Sequence, residues 1–183
     1  MPVRPIVRLG HPALRTPAEP VDLEELRGPS MQQLIDDMFE TMDDAEGVGL
    51  AAPQLGLGHQ IFVYVAVDPE RPDDPGEPKV LVNPGVTPEP GDLVWDWEGC
   101  LSIPDLRGLV PRRLAVRVDA FDRHGEQISF RAEGYEARIV QHEFDHLNAI
   151  VFPDRMRDMR SLCFGAEWEK YMTSGEDDGP AVG

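Results

Sequence analysis

Long apolar segments are absent from this sequence, and cysteine is scarce. No run approaches the roughly 20 apolar residues that span a bilayer. The N-terminus, where prolines and arginines surround isolated valines, lacks the apolar core of a signal peptide. The two cysteines lie far apart and make no disulfide framework, which suits a reducing compartment. These absences predict a cytoplasmic protein without a membrane segment.

Positive charge is also scarce. The chain carries 17 basic and 34 acidic residues, a formal net charge of −17, and its pI is near 4.5. A field of this sign repels nucleic acid and anionic lipid, so we expect neither as a direct partner. A length of 183 residues with 41% hydrophobic content suits one globular domain. We assign that domain to residues 1–172 and expect residues 173–183 to form a disordered acidic tail.

Histidine is rare, yet two of the five histidines form a His-Glu-x-x-His motif between His142 and His146. On a helix, positions i and i+4 share one face, so the motif presents two imidazoles with the Glu143 carboxylate beside the first. The alternative is a surface helix that carries two histidines by chance, and this spacing makes it the weaker interpretation. The remaining histidines are expected to be solvated loop residues: His11, His59 and His124.

Two histidines do not complete a catalytic metal site, which usually has three protein ligands and an open position for water. The longer motif with a third histidine fails, because Ala149 and Phe152 stand where glycine and histidine are required. A glutamate from a later helix, Glu167 or Glu169, is one candidate for the third ligand. With Glu167 as ligand, the protein would be a general metallopeptidase.

Cys100 is the favoured third ligand. A thiolate binds borderline-soft divalent ions well, and Cys100 lies in the short segment Glu98–Ser102, with a glycine just before it. As an isolated cysteine it would more often be a small buried residue or a disulfide partner of Cys163. A further segment, Gly47–Gln54, contains small residues that let backbone approach a ligand, and Gln54 offers an amide donor for an oxyanion or a carbonyl.

Three segments resemble, in order and spacing, the signature motifs of the peptide deformylases: Gly47–Gln54, Glu98–Ser102 and Gln141–Asn148. The stretch Arg8–Arg15 is also similar to the family's N-terminal segment, so the resemblance runs from about Val7 to about Pro153. One departure is Ala149, where the family usually has glycine after the metal-binding helix. We expect Asn148 to take the left-handed cap conformation instead.

The resemblance implies an enzyme that removes the formyl group from the N-terminal formyl-methionine of newly made polypeptides and releases formate. It implies one divalent ion, Fe²⁺ ahead of Zn²⁺, Ni²⁺ or Co²⁺, with Cys100, His142 and His146 as ligands. Glu143 is expected to accept and deliver the proton. Gln54 and the backbone N–H of Leu101 are expected to stabilise the oxyanion.

The peptide substrate is expected to bind as an added strand. The resemblance implies pairing with Val48 and Gly49 on one side and Gly99 on the other. The candidates for an apolar methionine pocket are Trp97, Tyr135 and Ile139. Docking on a ribosome through a basic C-terminal helix is disfavoured, because acidic residues follow the arginines at positions 155, 157 and 160.

The sequence pattern predicts the α+β class, with mainly antiparallel sheets packed around a central helix that carries the His-Glu-x-x-His motif. Helices are expected over residues 30–46, with Ser30 and Gly47 as caps, over 134–148 and over 157–171. Strands are expected over residues 61–67 and 80–83, and a hairpin over 114–121 and 127–132. Arg138 is expected at the surface or beside a carboxylate, and Arg107 beside Glu98. A noncatalytic metal-stabilised binding domain stays open as a second alternative.

Overall fold

The computed structural model describes residues 3–66 and 76–172. The end of the expected strand at Val67 and the expected acidic tail at 173–183 lie outside the described residues. Among the described helices, none has the length and apolar character needed to cross a membrane.

Four helices and eight strands make up the described chain, with short 3₁₀ turns between them. The helices are α1 Leu23–Leu26, α2 Pro29–Asp44, α3 Gly134–Leu147 and α4 Gly165–Tyr171. The strands are β1 Gly49–Ala51, β2 Ile61–Ala66, β3 Glu77–Pro88, β4 Leu93–Cys100, β5 Ile103–Arg113, β6 Ala115–Phe121, β7 Gln127–Glu133 and β8 Cys163–Phe164.

Two antiparallel sheets organise these elements. The larger has the order β1-β2-β3-β6-β7 and the smaller the order β4-β5-β8. Every strand pair is antiparallel, so the predicted α+β class is confirmed. The predicted hairpin is present as β6 and β7, closed by a turn in which Asp122 Oδ1 accepts hydrogen bonds from the N–H groups of His124 and Glu126.

The larger sheet separates two helices. Successive side chains of a strand point to opposite faces, so Phe62 and Tyr64 of β2 pack with α3. Ile61 and Val63 face the other way and pack with α2. Because both faces are covered, β2 is apolar at every position from 61 to 65. The helix α3, which carries both motif histidines, lies between this sheet and the β4-β5 hairpin.

The long β4-β5 hairpin is absent from the sequence prediction, which places only a short ordered segment there. Both strands carry charged residues, and β5 also contains two prolines, a composition that disfavours strand assignment. The ladder is also irregular: Glu98 pairs with Gly108 and Cys100 with Ile103. Residues 104–107 of β5 therefore stand opposite Gly99 alone, which is a bulge of four residues against one.

Three predicted helix boundaries are wrong. The helix α2 begins at Pro29 with Gly28 as its N-cap, because proline suits the first helical position, and Ser30 lies inside the helix. At its other end the C-cap is Ala45 and not Gly47, and Glu46 follows it in the left-handed conformation, with φ of 52°. The last helix begins at Gly165, since the chain before it forms a 3₁₀ turn and then joins β5 as β8.

The cap of α3 also differs from its prediction. Asn148 keeps φ at −103°, and Ala149 takes the left-handed conformation with φ of 62°. Asn148 instead uses its side-chain Nδ2 to donate to the carbonyl of Phe144 in the last turn. Alanine therefore stands where its Cβ is unfavourable.

Replacing Ala149 with glycine should stabilise the protein by about 1 kcal/mol, because glycine removes a strain of about 1–2 kcal/mol and costs about 0.5–1 kcal/mol of chain entropy. Urea unfolding at fixed metal content measures the change. Ala45→Gly is the matched control, since Ala45 caps α2 with φ of −86° and gains nothing from glycine. Equal loss of stability in both variants would contradict this account.

Candidate metal centre

The two motif histidines lie one helical turn apart on α3. Their ring centroids are 5.1 Å apart and the rings are inclined at 74°. His146 is fully buried, and His142 opens toward a cleft. Burial lowers the pKa of His146 well below its usual value. This imidazole is therefore neutral, which is the form that binds a metal ion.

Cys100 lies at the end of β4, directly against these rings. Its Sγ is 3.3 Å from His146 Nε2, and the ligand atoms of Cys100, His142 and His146 all lie within 4.8 Å of one another. Glu167 and Glu169 are described residues and do not belong to this group. The prediction of Cys100 over Glu167 thus agrees with the geometry. His11, His59 and His124 also lie outside the group.

This donor set fits one divalent ion. A thiolate with two imidazoles suits a borderline-soft metal. Three ligands leave a coordination position for water, whereas a structural site is normally closed by four. The neighbouring Glu143 carboxylate fits such a water, because its Oε2 is buried and has no hydrogen-bond partner among the described residues. Burial raises the pKa of Glu143 to about 7.

Gly49 makes room for Glu143. A Cβ built on Gly49 would lie 2.4 Å from Glu143 Oε1, far inside van der Waals contact. Any other residue at this position in β1 would therefore displace the carboxylate. The position of Glu143 therefore requires glycine at residue 49, which is one of the small residues that the sequence predicts beside the ligand.

Gln54 is held in one orientation beside the thiolate. Its side chain is buried, and its Oε1 accepts a hydrogen bond of 2.8 Å from the N–H of Ala51. This bond fixes the amide, so Nε2 is the atom that faces Cys100 Sγ, at 3.6 Å. The Gln54 amide donor is thus held beside the ligand group by a bond that uses only its oxygen.

A hydrogen bond with Glu98 fixes the orientation of the His142 ring. Its Oε2 lies 2.9 Å from His142 Nδ1, and an ionised carboxylate only accepts, so Nδ1 donates and Nε2 is left for a metal. Burial would raise the pKa of Glu98, but hydrogen bonds from His142 and Arg112 outweigh it and hold the pKa well below the usual range. Arg112 binds both oxygens of Glu98, at 2.9 and 3.0 Å.

This buried ion network continues through the protein and was missed by the sequence analysis. Arg138 donates to Glu98 Oε1 at 2.8 Å, so it holds a carboxylate and is not a surface residue. Arg112 also binds Asp145 of α3, which in turn binds Arg155. The signal that could have revealed the network is the pair of acidic residues close in sequence to metal ligands: Glu98 near Cys100 and Asp145 next to His146. The expected pairing of Arg107 with Glu98 is wrong, because Arg112 and Arg138 occupy that carboxylate.

A cleft of about 1200 Å³ opens onto the ligand group. Every predicted site residue except His146 lines it: Val48, Gly49, Gln54, Trp97, Gly99, Cys100, Leu101, Tyr135, Ile139, His142 and Glu143. The residues predicted to pair with the peptide, to form the methionine pocket, to stabilise the oxyanion and to transfer the proton therefore line one cavity. Cys100 and His142 line the same cavity.

The matching family model, sequence relatives and solved structures all belong to one protein family. The family model for polypeptide deformylase matches residues 3–161. A peptide deformylase 2 of Ralstonia nicotianae is 44% identical over 164 residues, covering 88% of this chain and 92% of that one. A peptide deformylase 2 of Bordetella bronchiseptica is 46% identical with the same coverage. A class I type b peptide deformylase of Acinetobacter baumannii, bound to Met-Ala-Ser, has a TM-score of 0.78 and 38% identity, covering 84% of this chain and 98% of its own.

Proposed function

The chain belongs to the polypeptide deformylase family, and from this we infer that its cleft binds the N-terminus of a newly made polypeptide and removes the formyl group as formate. The observation that carries this function is the buried Glu143 carboxylate, whose Oε2 has no partner among the described residues, beside the Cys100, His142 and His146 group. The expected substrate is the formyl-methionyl N-terminus. A reducing cytoplasm suits the thiolate ligand.

We propose that Cys100, His142 and His146 hold a single Fe²⁺ ion, with Zn²⁺, Ni²⁺ or Co²⁺ as replacements. The support is the mixed thiolate and imidazole donor set at mutual distances within 4.8 Å. When bound, such an ion acidifies a water and polarises a carbonyl group. Glu98 keeps His142 in the tautomer that ligation requires.

The protein's own groups move the proton and stabilise the charge. Glu143 takes the proton from the attacking water and delivers it to the amine nitrogen as the formyl C–N bond breaks. The Gln54 Nε2 and Leu101 N–H groups donate to the formyl oxygen as negative charge develops on it. Because Gln54 is fixed by Ala51 before the substrate arrives, it needs no reorientation during the reaction.

Peptide binding uses backbone at both sides of the cleft. The carbonyl of Val48 accepts from Val65 N–H, whereas its N–H makes no backbone hydrogen bond among the described residues, so we assign this N–H to the peptide. On the opposite side Gly99 lies at the irregular point of the β4-β5 ladder, where four residues of β5 face it. Its backbone groups are the ones we assign to pairing with the peptide, together with those of Gly49. Trp97, Tyr135 and Ile139 supply apolar surface for the methionine side chain.

A formylated tripeptide such as formyl-Met-Ala-Ser separates this function from a general metallopeptidase. Mass spectrometry after incubation should show the intact tripeptide without its formyl group, and formate in equal amount. An acetylated tripeptide of the same sequence should react far more slowly and is the control. Cleavage between amino acids would contradict the proposal.

Replacing Gln54 with alanine should lower kcat by about a hundredfold and leave KM within about twofold, since an oxyanion donor acts mainly in the transition state. Steady-state kinetics with the formylated tripeptide separate the two constants. Gln60→Ala is the matched control, because the Gln60 side-chain amide also forms a hydrogen bond with backbone, donating to the carbonyl of Ala18, but lies outside the cleft lining. A change in KM alone would reassign Gln54 to ground-state binding.

A further inference from the structure

One wall of the cleft comes from chain beyond the family match. The family model ends at residue 161, whereas residues 164–169 line the same cavity as the metal ligands. The strand β8 brings them there by pairing with β5, Cys163 opposite Arg107 and Phe164 opposite Leu106. The helix α4 follows directly, so its position on the cleft is tied to the hairpin that carries Cys100.

Trp168 of α4 lies between two other cleft residues. Its ring centroid is 6.3 Å from that of Trp97, and Arg107 Cζ lies 5.8 Å from its ring, within the range of a cation–π contact. The indole Nε1 is buried and has no acceptor among the described residues. The side chain therefore makes its contacts through its ring faces and edges, one of them with a guanidinium.

The guanidinium of Arg107 lies directly over Gly99. A Cβ built on Gly99 would be only 1.4 Å from Arg107 Nη1, so Arg107 occupies the space that a side chain would take. Arg107 is exposed and makes no ion pair with any described residue. Its donors thus stay available at the residue that we assign to peptide pairing.

The surrounding charges give Arg107 a distinct position. Arg138 also lines the cleft, but it is buried and bound to Glu98. The other charged residues that line the cleft are acidic: Glu46, Glu98, Asp105, Glu143, Glu167 and Glu169. These carboxylates oppose an anionic partner, so a neutral carbonyl oxygen is the acceptor that suits Arg107 best.

We propose that Trp168 is a positioning residue: it holds Arg107 over Gly99 so that the guanidinium binds the main-chain carbonyl oxygen of the peptide residue that follows methionine. This inference rests on the proposed function and deepens it. The contact needs the carbonyl group of a second residue, so a formyl-methionine derivative that lacks this group does not use it.

The test compares formyl-Met-Ala-Ser with formyl-methionine amide. Trp168→Leu should reduce the ratio of kcat/KM values for these two substrates by about tenfold, the size expected for one hydrogen bond from a charged donor. The loss should appear in KM for the tripeptide. Trp168→Phe, which keeps an aromatic face, should restore most of the ratio. Trp95→Leu is the matched control, since Trp95 holds Arg157 at 5.5 Å but does not line the cleft.

Arg107→Met gives the second arm. The exposed side chain of Arg107 can be replaced without disturbing the fold. The substitution should lower the ratio of the two kcat/KM values by the same factor as Trp168→Leu. The double variant should lose no more than either single variant, because both act through one contact. Equal ratios for the parent, Trp168→Leu and Arg107→Met would overturn this inference while the parent's formate release leaves the proposed function standing. A parent without formate release would overturn both.

Discussion

Glu143→Ala is expected to lose formate release by about a thousandfold while keeping its metal and its fold. Glu143 is the buried carboxylate beside the ligand group, and its Oε2 has no partner among the described residues. A general acid–base residue contributes about 10²- to 10⁴-fold to the rate. Because Glu143 is not itself a ligand, its loss affects proton transfer and not metal binding.

Metal content and turnover must be measured on the same sample for this variant. Glu136→Ala is the matched control on the same helix, since Glu136 binds Lys79 and Tyr64 away from the cleft. The control should keep nearly full turnover. Near-normal formate release by metal-replete Glu143→Ala would contradict the role assigned to this carboxylate.

Cys100→Ala is expected to weaken metal binding by more than about a hundredfold and to lose activity with it. Removing a residue that only orients a ligand costs about 10- to 100-fold in affinity, and Cys100 is proposed to bind the ion directly. Competition with a chelator of known affinity measures the change. We also expect the iron form of the parent protein to lose activity in air, because the Cys100 thiolate oxidises to forms that no longer bind metal.

Two further variants make this result specific. Cys163→Ala removes the other cysteine, which lies in β8 outside the ligand group, and should bind metal normally. Glu167→Ala removes the ligand of the alternative metallopeptidase model and should also bind metal normally. Retained metal in Cys100→Ala, together with metal loss in Glu167→Ala, would reverse the ligand assignment.

The sequence predicted those elements whose signal is local. The period of α3 placed His142 and His146 on one face, and the alternating residues of β6 and β7 predicted a hairpin that the structure confirms. The continuous apolar run of β2 predicted a strand because both of its faces are buried. The family resemblance then supplied the order of the three cleft segments.

The parts that the sequence missed depend on distant contacts. The charged side chain of Glu98 disfavours a buried strand until Arg112, Arg138 and His142 surround it. The left-handed turn at Ala149 is not shown by alanine itself; the glycine that the family usually has at this position was the signal for it. The path of the chain after residue 161 depends on pairing with β5, which no local pattern of β8 reveals.

The most direct test of the central claim is formate release by protein that has been stripped with a chelator and reloaded with known amounts of one ion, without oxygen. We predict no formate from the stripped protein and a linear return of activity up to one ion per chain. Fe²⁺, Ni²⁺ and Co²⁺ should restore rapid turnover, and Zn²⁺ a slower one. Formate release by the stripped protein at the rate of the loaded one, or a requirement for two ions per chain, would contradict a single ion held by Cys100, His142 and His146.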